Sequence, residues 1–158
     1  MKSLFLTVFL LLIYLKIVSY KINNNYFCSD LKIKSFNNRD SFNRFYNSLA
    51  KLVCRDLKPE LLLVQAWHET GGNSYLMTEC NNLFGLRCHW ADNRYKIKIY
   101  SNYYRCYSSV YDCFVDYQNF MQSHYKLDSC MTIEQQIELI NGYSENLEYK
   151  KNLKKLLK

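Results

Sequence analysis

The sequence predicts an α+β domain that is mostly α-helical and contains one small β-hairpin. Apolar residues recur three and four positions apart in several segments, whereas a single segment alternates apolar and basic residues with a period of two. The chain has 158 residues, 49% of them hydrophobic, with one proline and four glycines. This composition fits one folded domain and excludes a collagen-like, proline-rich or flexible-linker protein.

Two closely spaced helices open the predicted domain. The first begins near Ser41 and has a single apolar stripe, made of Phe42, Phe45, Tyr46, Leu49 and Val53. Pro59 suits the first turn of the second helix, and Gly71 and Gly72 provide its C-terminal stop. The segment 74–90 that follows is mixed in character and rich in asparagine, so no helix or strand is predicted in it.

A β-hairpin is predicted after this segment. Residues 95–100 alternate apolar and basic side chains, which is typical of a strand with two different faces. Ser101 and Asn102 then form a turn, and residues 103–107 form the second strand.

Three further helices complete the predicted domain. One begins at Ser109 and another at Thr132, each with a polar residue three positions later that resembles the partner in a capping box. The helix from Thr132 ends at Gly142. Lysines surround the apolar stripe of the last helix, which consists of Tyr149, Leu153, Leu156 and Leu157.

The N-terminus indicates export. An apolar run from Leu4 to Leu15 follows a short basic start, and about twelve helical residues fall short of the roughly 30 Å hydrocarbon core of a bilayer. A signal peptide over residues 1–19 is therefore favoured, with an uncleaved N-terminal membrane anchor as the alternative. We expect residues 20–38 to connect it to a folded domain at 39–158, in a secreted, periplasmic or cell-surface protein.

Charge and cysteine content are consistent with an exported protein. The net charge is +7, and +5 remains after loss of residues 1–19 with their two lysines. In an exported protein this balance favours anionic wall polymers or membrane surfaces over nucleic acid, so no nucleic-acid partner is expected. The seven cysteines would meet an oxidising compartment, where disulfides form, although their spacing does not give the pairing.

The sequence contains no complete metal-binding motif. It has no C-x-x-C pair, and Cys88-His89 has no second pair at zinc-finger spacing. His68-Glu69 begins like the H-E-x-x-H motif of zinc proteases, but Gly72 occupies the position of the second histidine. No metal and no cofactor are therefore predicted.

Glu69 is the candidate for acid–base chemistry. It stands at the end of the second predicted helix, and Gln65 and Leu62 lie on the same helix face. Burial and the negative end of the helix dipole both disfavour a carboxylate, so we expect the pKa of Glu69 to be raised. A carboxyl group with a raised pKa is what a general acid needs near neutral pH.

Three strings of residues resemble one known family. They are residues 65–71 (QAWHETG), residues 81–87 (NNLFGLR) and residues 104–107 (YRCY), with Gly142-Tyr143 as a later match. Together they resemble the glucosaminidase domains of peptidoglycan hydrolases, including the flagellar muramidase-like group. The resemblance covers residues 59–157, and its most specific part is the Asn-Asn-Leu-Phe-Gly string about a dozen residues after the helix end.

The resemblance implies a lysozyme-like helical fold. It also implies hydrolysis of the β-1,4 bond after N-acetylglucosamine in peptidoglycan or a related glycan. Glu69 matches the catalytic general acid of the family, and Tyr143 matches a tyrosine that lines its catalytic cleft. Further residues are expected to contact substrate or shape the floor of the cleft, and these are Trp67, Asn82, Phe84, Gly85 and Tyr107.

The chain departs from the family pattern at the expected second carboxylate. Many members have another acidic residue in the hairpin, whereas Asp92 is the only acid between Trp90 and Tyr107. Asp92 is one candidate for the base that activates water. The substrate's own acetamido group and a water held by Tyr143 are the alternatives, so the stereochemical outcome stays open.

Two other functions fit the same residues. A muramidase or lytic transglycosylase on the same fold would use the single acid Glu69. A catalytically silent module that binds cell-wall glycan would account for the missing second carboxylate. The products released from cell-wall material distinguish these functions from a glucosaminidase.

Overall fold

Helices form most of the computed structural model, which describes residues 35–88, 96–99, 102–144, 146 and 148–158. In chain order its elements are α1 (Arg39–Val53), α2 (Pro59–Thr70), α3 (Tyr75–Cys80), β1 (Lys96–Ile99), β2 (Asn102–Arg105), α4 (Val110–Tyr125), α5 (Ile133–Leu139) and α6 (Tyr149–Leu157). The predicted α+β class, mostly helical with one hairpin, is confirmed. The predicted leader, most of the connecting segment and Asp92 lie outside the described residues.

Local signals set the ends of α1 and α2. The Asn38 side chain accepts a hydrogen bond of 2.9 Å from the backbone N–H of Ser41, which caps α1. Pro59 occupies the first turn of α2, and Gly71 ends the helix in a left-handed conformation at φ 57°. Six consecutive residues of α2, from Leu61 to Ala66, are buried, and both α1 and α6 pack against this helix. Because α2 lies in the core, a side chain in its last turn, such as that of Glu69, is attached to a buried helix.

The prediction of no regular element in segment 74–90 was wrong, because α3 lies there. The Ser74 hydroxyl caps this helix by accepting from the backbone N–H of Met77 at 3.2 Å, and Asn81 ends it at φ 50°. Six residues are fewer than two helical turns, so the apolar periodicity that reveals longer helices has no room to show.

The hairpin begins its second strand one residue earlier than predicted. The two strands are antiparallel, with Lys96 opposite Arg105 and Ile99 opposite Asn102. Asn102 is therefore a strand residue and not part of the turn. The pairing of Ile99 with Asn102 is the last that the register gives, and residues 100 and 101 lie outside the described residues.

The last three helices follow their predicted caps. The Ser109 hydroxyl accepts from a backbone N–H in the first turn of α4, and Thr132 forms a complete capping box with Gln135. Helix α5 ends at Leu139, before the predicted stop at Gly142, because Ile140 leaves the helical conformation and is buried. Among the described residues, no helix is both long enough and apolar enough to cross a bilayer.

Gly72 gives a direct test of how α2 ends. Its φ is +78°, and a Cβ atom there would lie 2.5 Å from Cζ3 of Trp67 and 2.8 Å from the carbonyl oxygen of Phe36. We expect Gly72→Ala to lower the free energy of unfolding by about 3 kcal/mol, through backbone strain and overpacking. Gly71→Ala is the matched control, since a Cβ there meets nothing within 4 Å, and only the strain of about 1 kcal/mol applies. Equal losses in urea unfolding of the two variants would contradict this packing.

Candidate active site

Glu69 projects from the last turn of α2, where the helix stops abruptly. The Thr70 hydroxyl donates to the carbonyl of Ala66 at 2.7 Å and accepts from the N–H of Gly72 at 3.1 Å. These two bonds satisfy backbone groups at the helix end and turn the chain away directly after Glu69. The Glu69 side chain is 25% exposed, so its carboxyl is mostly buried but retains access to solvent.

The loop of residues 81–86 passes beside the Glu69 carboxyl. Gly85 has a φ of +63°, and a Cβ built on it would lie 3.9 Å from Oε2 of Glu69. Since Gly85 has no side chain, the backbone can come close to the acid. Among the described residues other than its chain neighbours, no other atom lies within 4 Å of that Cβ position. The structure thus brings together the helix end and the Asn-Asn-Leu-Phe-Gly string that the sequence singled out.

Asn82 gives this loop its shape. Its side chain is fully buried and makes four hydrogen bonds, so all of its ordinary donors and acceptors are used. Nδ2 donates to the carbonyls of Leu86 at 3.0 Å and Arg105 at 2.9 Å, while Oδ1 accepts from the N–H groups of Phe84 at 3.3 Å and Leu86 at 3.1 Å. Because the side chain is buried, Asn82 affects a substrate only through the loop that it holds.

The end of the hairpin is fastened to the same loop. A disulfide joins Cys80 to Cys106, and Nδ2 of Asn81 donates to the carbonyl of Tyr107 at 2.9 Å. The N–H of Tyr107 in turn donates to the carbonyl of Cys80 at 2.9 Å. Backbone, side-chain and covalent links therefore hold residues 105–107 against residues 80–86.

Asp116 of α4 anchors the hairpin from the other side. Its Oδ2 accepts from the hydroxyl of Tyr107 at 2.6 Å and from Nη1 of Arg105 at 2.5 Å. The hydroxyl of Tyr107 and the charge of Arg105 are thus committed within the protein. The ring of Tyr107 is only partly buried, so it keeps a surface that a ligand can reach.

Phe84 and Tyr143 form the aromatic side of the site. Phe84 is only 2% exposed and stacks on Tyr117, with ring centroids 3.6 Å apart and planes 8° from parallel. The Tyr143 hydroxyl donates to the carbonyl oxygen of Phe84 at 2.8 Å, and burial raises the pKa of Tyr143 well above its ordinary value. Phe84 therefore supports the loop from below, and Tyr143 stays protonated.

Three residues that the sequence did not single out as functional, Tyr149, Gln65 and His68, complete the described surroundings of Glu69. Tyr149 begins α6 and is 3% exposed, and its hydroxyl accepts from Nε2 of Gln65 at 3.3 Å. The His68 ring packs edge-on against Tyr149 at 5.0 Å, with Nδ1 3.8 Å from Oε1 of Glu69. Gln65 had a signal in the sequence, because it lies one helical turn before Glu69. Tyr149 had none beyond its place in the apolar stripe.

Burial dominates the electrostatics of the acid. It raises the pKa of Glu69 above its ordinary value, and hydrogen bonding from Tyr149 opposes that shift in part. The predicted direction is confirmed. Burial also lowers the pKa of His68, so this imidazole is neutral at pH 7 and supplies no counter-charge to Glu69.

Trp67 is not brought together with Glu69. Two positions apart on a helix, the two side chains point to different sides of α2. Trp67 packs on Phe42 with ring centroids 5.5 Å apart and occupies the space that a Cβ of Gly72 would need. Its described contacts are thus packing contacts. Within the ranges that the structure describes, no three His, Cys, Asp or Glu side chains are grouped so that they could hold a metal ion.

Solved structures share this fold. The glycoside hydrolase domain of FlgJ from Salmonella typhimurium is 22% identical, covering 76% of this chain and 86% of that one, with a TM-score of 0.62. The catalytic domain of the autolysin Auto from Listeria monocytogenes is 17% identical, with 87% and 92% covered and a TM-score of 0.62. A peptidoglycan hydrolase from Sphingomonas sp. A1 is 21% identical, with 74% and 86% covered and a TM-score of 0.60.

The family comparison, together with the shared fold, places this helical domain in a class of enzyme, the glycoside hydrolases. Within this class the chain belongs to the glucosaminidase family. The family model, described as mannosyl-glycoprotein endo-beta-N-acetylglucosaminidase, matches residues 44–158. A search of curated protein sequences found no significant match.

Asn82 allows a test of the loop. Asn82→Ala leaves two backbone carbonyls and two N–H groups without their partners, so we expect the free energy of unfolding to fall by at least about 3 kcal/mol. Asn119→Ala, at an exposed position of α4, is the control and should change stability by less than about 0.5 kcal/mol. Urea unfolding measures both, and a loss at Asn82 no larger than at Asn119 would show that these hydrogen bonds do not hold the loop.

The raised pKa of Glu69 predicts a stability effect with a definite sign. Between the unfolded and the folded pKa the folded protein binds more protons, so wild-type stability falls as the pH rises through this window. Glu69→Gln removes the buried charge, and we expect its melting temperature to exceed that of the wild type at pH 7. The difference should disappear at a pH below the unfolded pKa. A variant that is less stable than the wild type at pH 7 would contradict the burial argument.

Proposed function

We propose that this protein is an exported glucosaminidase that hydrolyses the β-1,4 bond after N-acetylglucosamine in peptidoglycan, with Glu69 as the general acid. One observation supports the role of Glu69 above all. Its carboxyl is mostly buried at the end of α2, has a raised pKa, is still 25% exposed, and lies beside Gly85, which has no side chain to cover it. An acid in this state keeps its proton to higher pH and can still reach a ligand.

The proposed reaction begins with proton transfer. Glu69 gives its proton to the glycosidic oxygen as the bond from that oxygen to C1 of N-acetylglucosamine breaks, and positive charge develops at C1. The leaving sugar departs as an alcohol. Addition of water to C1, with loss of one proton from the water, completes the hydrolysis. The proton lost from water balances the one that Glu69 supplied.

Three groups are candidates for activating the water or replacing it as the nucleophile. Asp92 is the acid nearest in sequence to the expected position. The acetamido oxygen of the substrate could attack C1 first, or Tyr143 could hold the water. The Tyr143 hydroxyl already donates its proton to Phe84, so it has only acceptor capacity left for a water molecule. This favours a role for Tyr143 in orienting water over a role as a proton donor.

The proposed substrate contacts differ in kind. Gly85 and the half-buried ring of Tyr107 lie beside the loop and would meet the sugar directly. Asn82 and Phe84 are buried and would act by holding that loop in place. We propose no direct sugar contact for Trp67, because its ring packs against Phe42 and it points to a different side of α2 from Glu69.

Export and substrate class have separate support. By their names, the FlgJ domain is a glycoside hydrolase domain, Auto is an autolysin and the Sphingomonas protein is a peptidoglycan hydrolase. These names favour a cell-wall glycan as the substrate. The Cys80–Cys106 disulfide favours an oxidising compartment. We therefore propose that residues 1–19 are a signal peptide or membrane anchor and that the protein is secreted, periplasmic or at the cell surface.

Glu69→Gln tests the proposal in a cell-wall assay. Purified wild type should release fragments with N-acetylglucosamine at the reducing end, whereas Glu69→Gln should bind the same material and cleave it at least about 100-fold more slowly. Glu79→Gln, at an exposed position of α3, is the matched control and should cleave like the wild type.

The products separate the competing functions. Fragments that end in muramic acid or in an anhydro sugar would overturn the assignment of the bond and favour a muramidase or a lytic transglycosylase. Binding without cleavage by the wild type would overturn the enzyme and leave a glycan-binding module. Full activity in Glu69→Gln would remove Glu69 from the mechanism.

A further inference from the structure

Tyr149 lies directly behind Glu69. It is the first residue of α6, it is 3% exposed, and Nε2 of Gln65 donates to its hydroxyl at 3.3 Å. Gln65 and Glu69 are four residues apart on α2, so their side chains lie on one face, one turn apart. The hydroxyl held by Gln65 is therefore next to the carboxyl of Glu69.

The hydrogen bond from Gln65 determines where the hydroxyl proton of Tyr149 can point. An amide Nε2 only donates, so the oxygen of Tyr149 accepts and its single proton points elsewhere. The carboxyl of Glu69 is the acceptor beside it, and hydrogen bonding between the two groups lowers the pKa of Glu69 while burial raises it. Such bonds to a catalytic group are often long before substrate binds and shorten as charge develops.

The ring of Tyr149 is held on several sides. His68 packs edge-on at 5.0 Å and Tyr143 lies at 5.5 Å. One turn along α6, Leu153 is fully buried, and the Arg39 side chain donates to the carbonyl of Leu156 near the end of the helix. Helix α6 is thus docked at both ends, and the hydroxyl cannot swing away to solvent.

We propose that Tyr149 is a positioning residue for Glu69. With its oxygen held by Gln65, its hydroxyl donates to one oxygen of the Glu69 carboxyl, so the acidic proton resides on the other oxygen, which faces the substrate. When that proton leaves, Glu69 becomes a carboxylate and the bond from Tyr149 becomes charge-assisted and stronger. This inference rests on the proposed role of Glu69 as the acid.

The protonation states of the groups around Glu69 decide how a pH profile of activity is interpreted. Among the residues that the structure describes, the titratable groups are His68 on α2 itself, Tyr117 from α4, Tyr143 from the segment before α6, and Tyr149, while the loop 81–86 contributes none. Burial lowers the pKa of His68 and raises those of the three tyrosines. Above neutral pH these four groups are uncharged, so loss of activity with rising pH reports the deprotonation of Glu69.

Tyr149→Phe is the first test, made in the full chain with cell-wall glycan as substrate. The variant keeps the ring and loses the donor, so the alkaline limb of kcat/KM should move to higher pH. We expect kcat to fall about tenfold, since one donor to a charged group is lost, and KM to stay unchanged because Tyr149 is buried behind Glu69. A fall in kcat with no movement of the alkaline limb would reduce Tyr149 to a packing residue.

Gln65→Leu and Tyr125→Phe complete the design. Gln65→Leu should move the limb in the same direction by a smaller amount, and adding it to Tyr149→Phe should change nothing further, because it acts only through Tyr149. Tyr125→Phe removes a hydroxyl from a partly buried tyrosine of α4 and should behave as the wild type. Additive effects of Gln65→Leu and Tyr149→Phe would overturn the relay from Gln65.

A titration without catalysis distinguishes this inference from the proposed function. Carboxyl carbon NMR of labelled glutamate, assigned with Glu69→Gln, reads the pKa of Glu69 directly. A higher pKa in Tyr149→Phe than in the wild type supports the hydrogen bond even if the wild type cleaves no glycan, in which case only the proposed function fails. An unchanged pKa overturns the inference even in an active enzyme.

Discussion

The site depends on one buried side chain, the amide of Asn82. Its four hydrogen bonds fold residues 82–86 into a tight loop and tie that loop to the end of β2 at Arg105. The loop in turn brings Gly85 beside Glu69, whose side chain is only 25% exposed. Loss of this amide would leave two backbone carbonyls and two backbone N–H groups without their partners, and each buried polar group without a partner costs stability.

Glu69 costs the fold stability. A carboxyl at the end of the central helix, near the negative end of its dipole and mostly buried, is less favourable than an amide of the same shape. The fold offsets this cost elsewhere, through the buried face of α2, the aromatic packing under Phe84 and the Cys80–Cys106 disulfide. A disulfide that closes a loop of this length contributes about 3 kcal/mol in the chain-entropy account.

The surroundings of the acid come from distant parts of the chain. Gln65 and His68 belong to α2, Phe84 and Gly85 to the loop after α3, Tyr143 to the segment before α6, and Tyr149 to α6. Contacts outside the site help to fix these elements: α1 packs against α2, and the Arg39 side chain donates to the carbonyl of Leu156 in α6. Packed helices and a tight loop thus surround the carboxyl of Glu69. Such surroundings hold a side chain in one geometry, as acid catalysis requires.

The sequence by itself determined the helices with long apolar stripes, their caps at Ser109 and Thr132, the glycine stop of α2 and the candidate acid. These features are local, because a cap or a periodic stripe depends on residues a few positions apart. It missed α3, which is too short to show a period, and it placed Asn102 in the turn. Only the tertiary structure decided that Asn82 and Phe84 are buried supports, that Trp67 packs away from Glu69, and that Tyr149 lies behind the acid. These facts depend on contacts between residues up to 84 positions apart, such as that of Gln65 with Tyr149, and no local pattern encodes which distant side chains will meet.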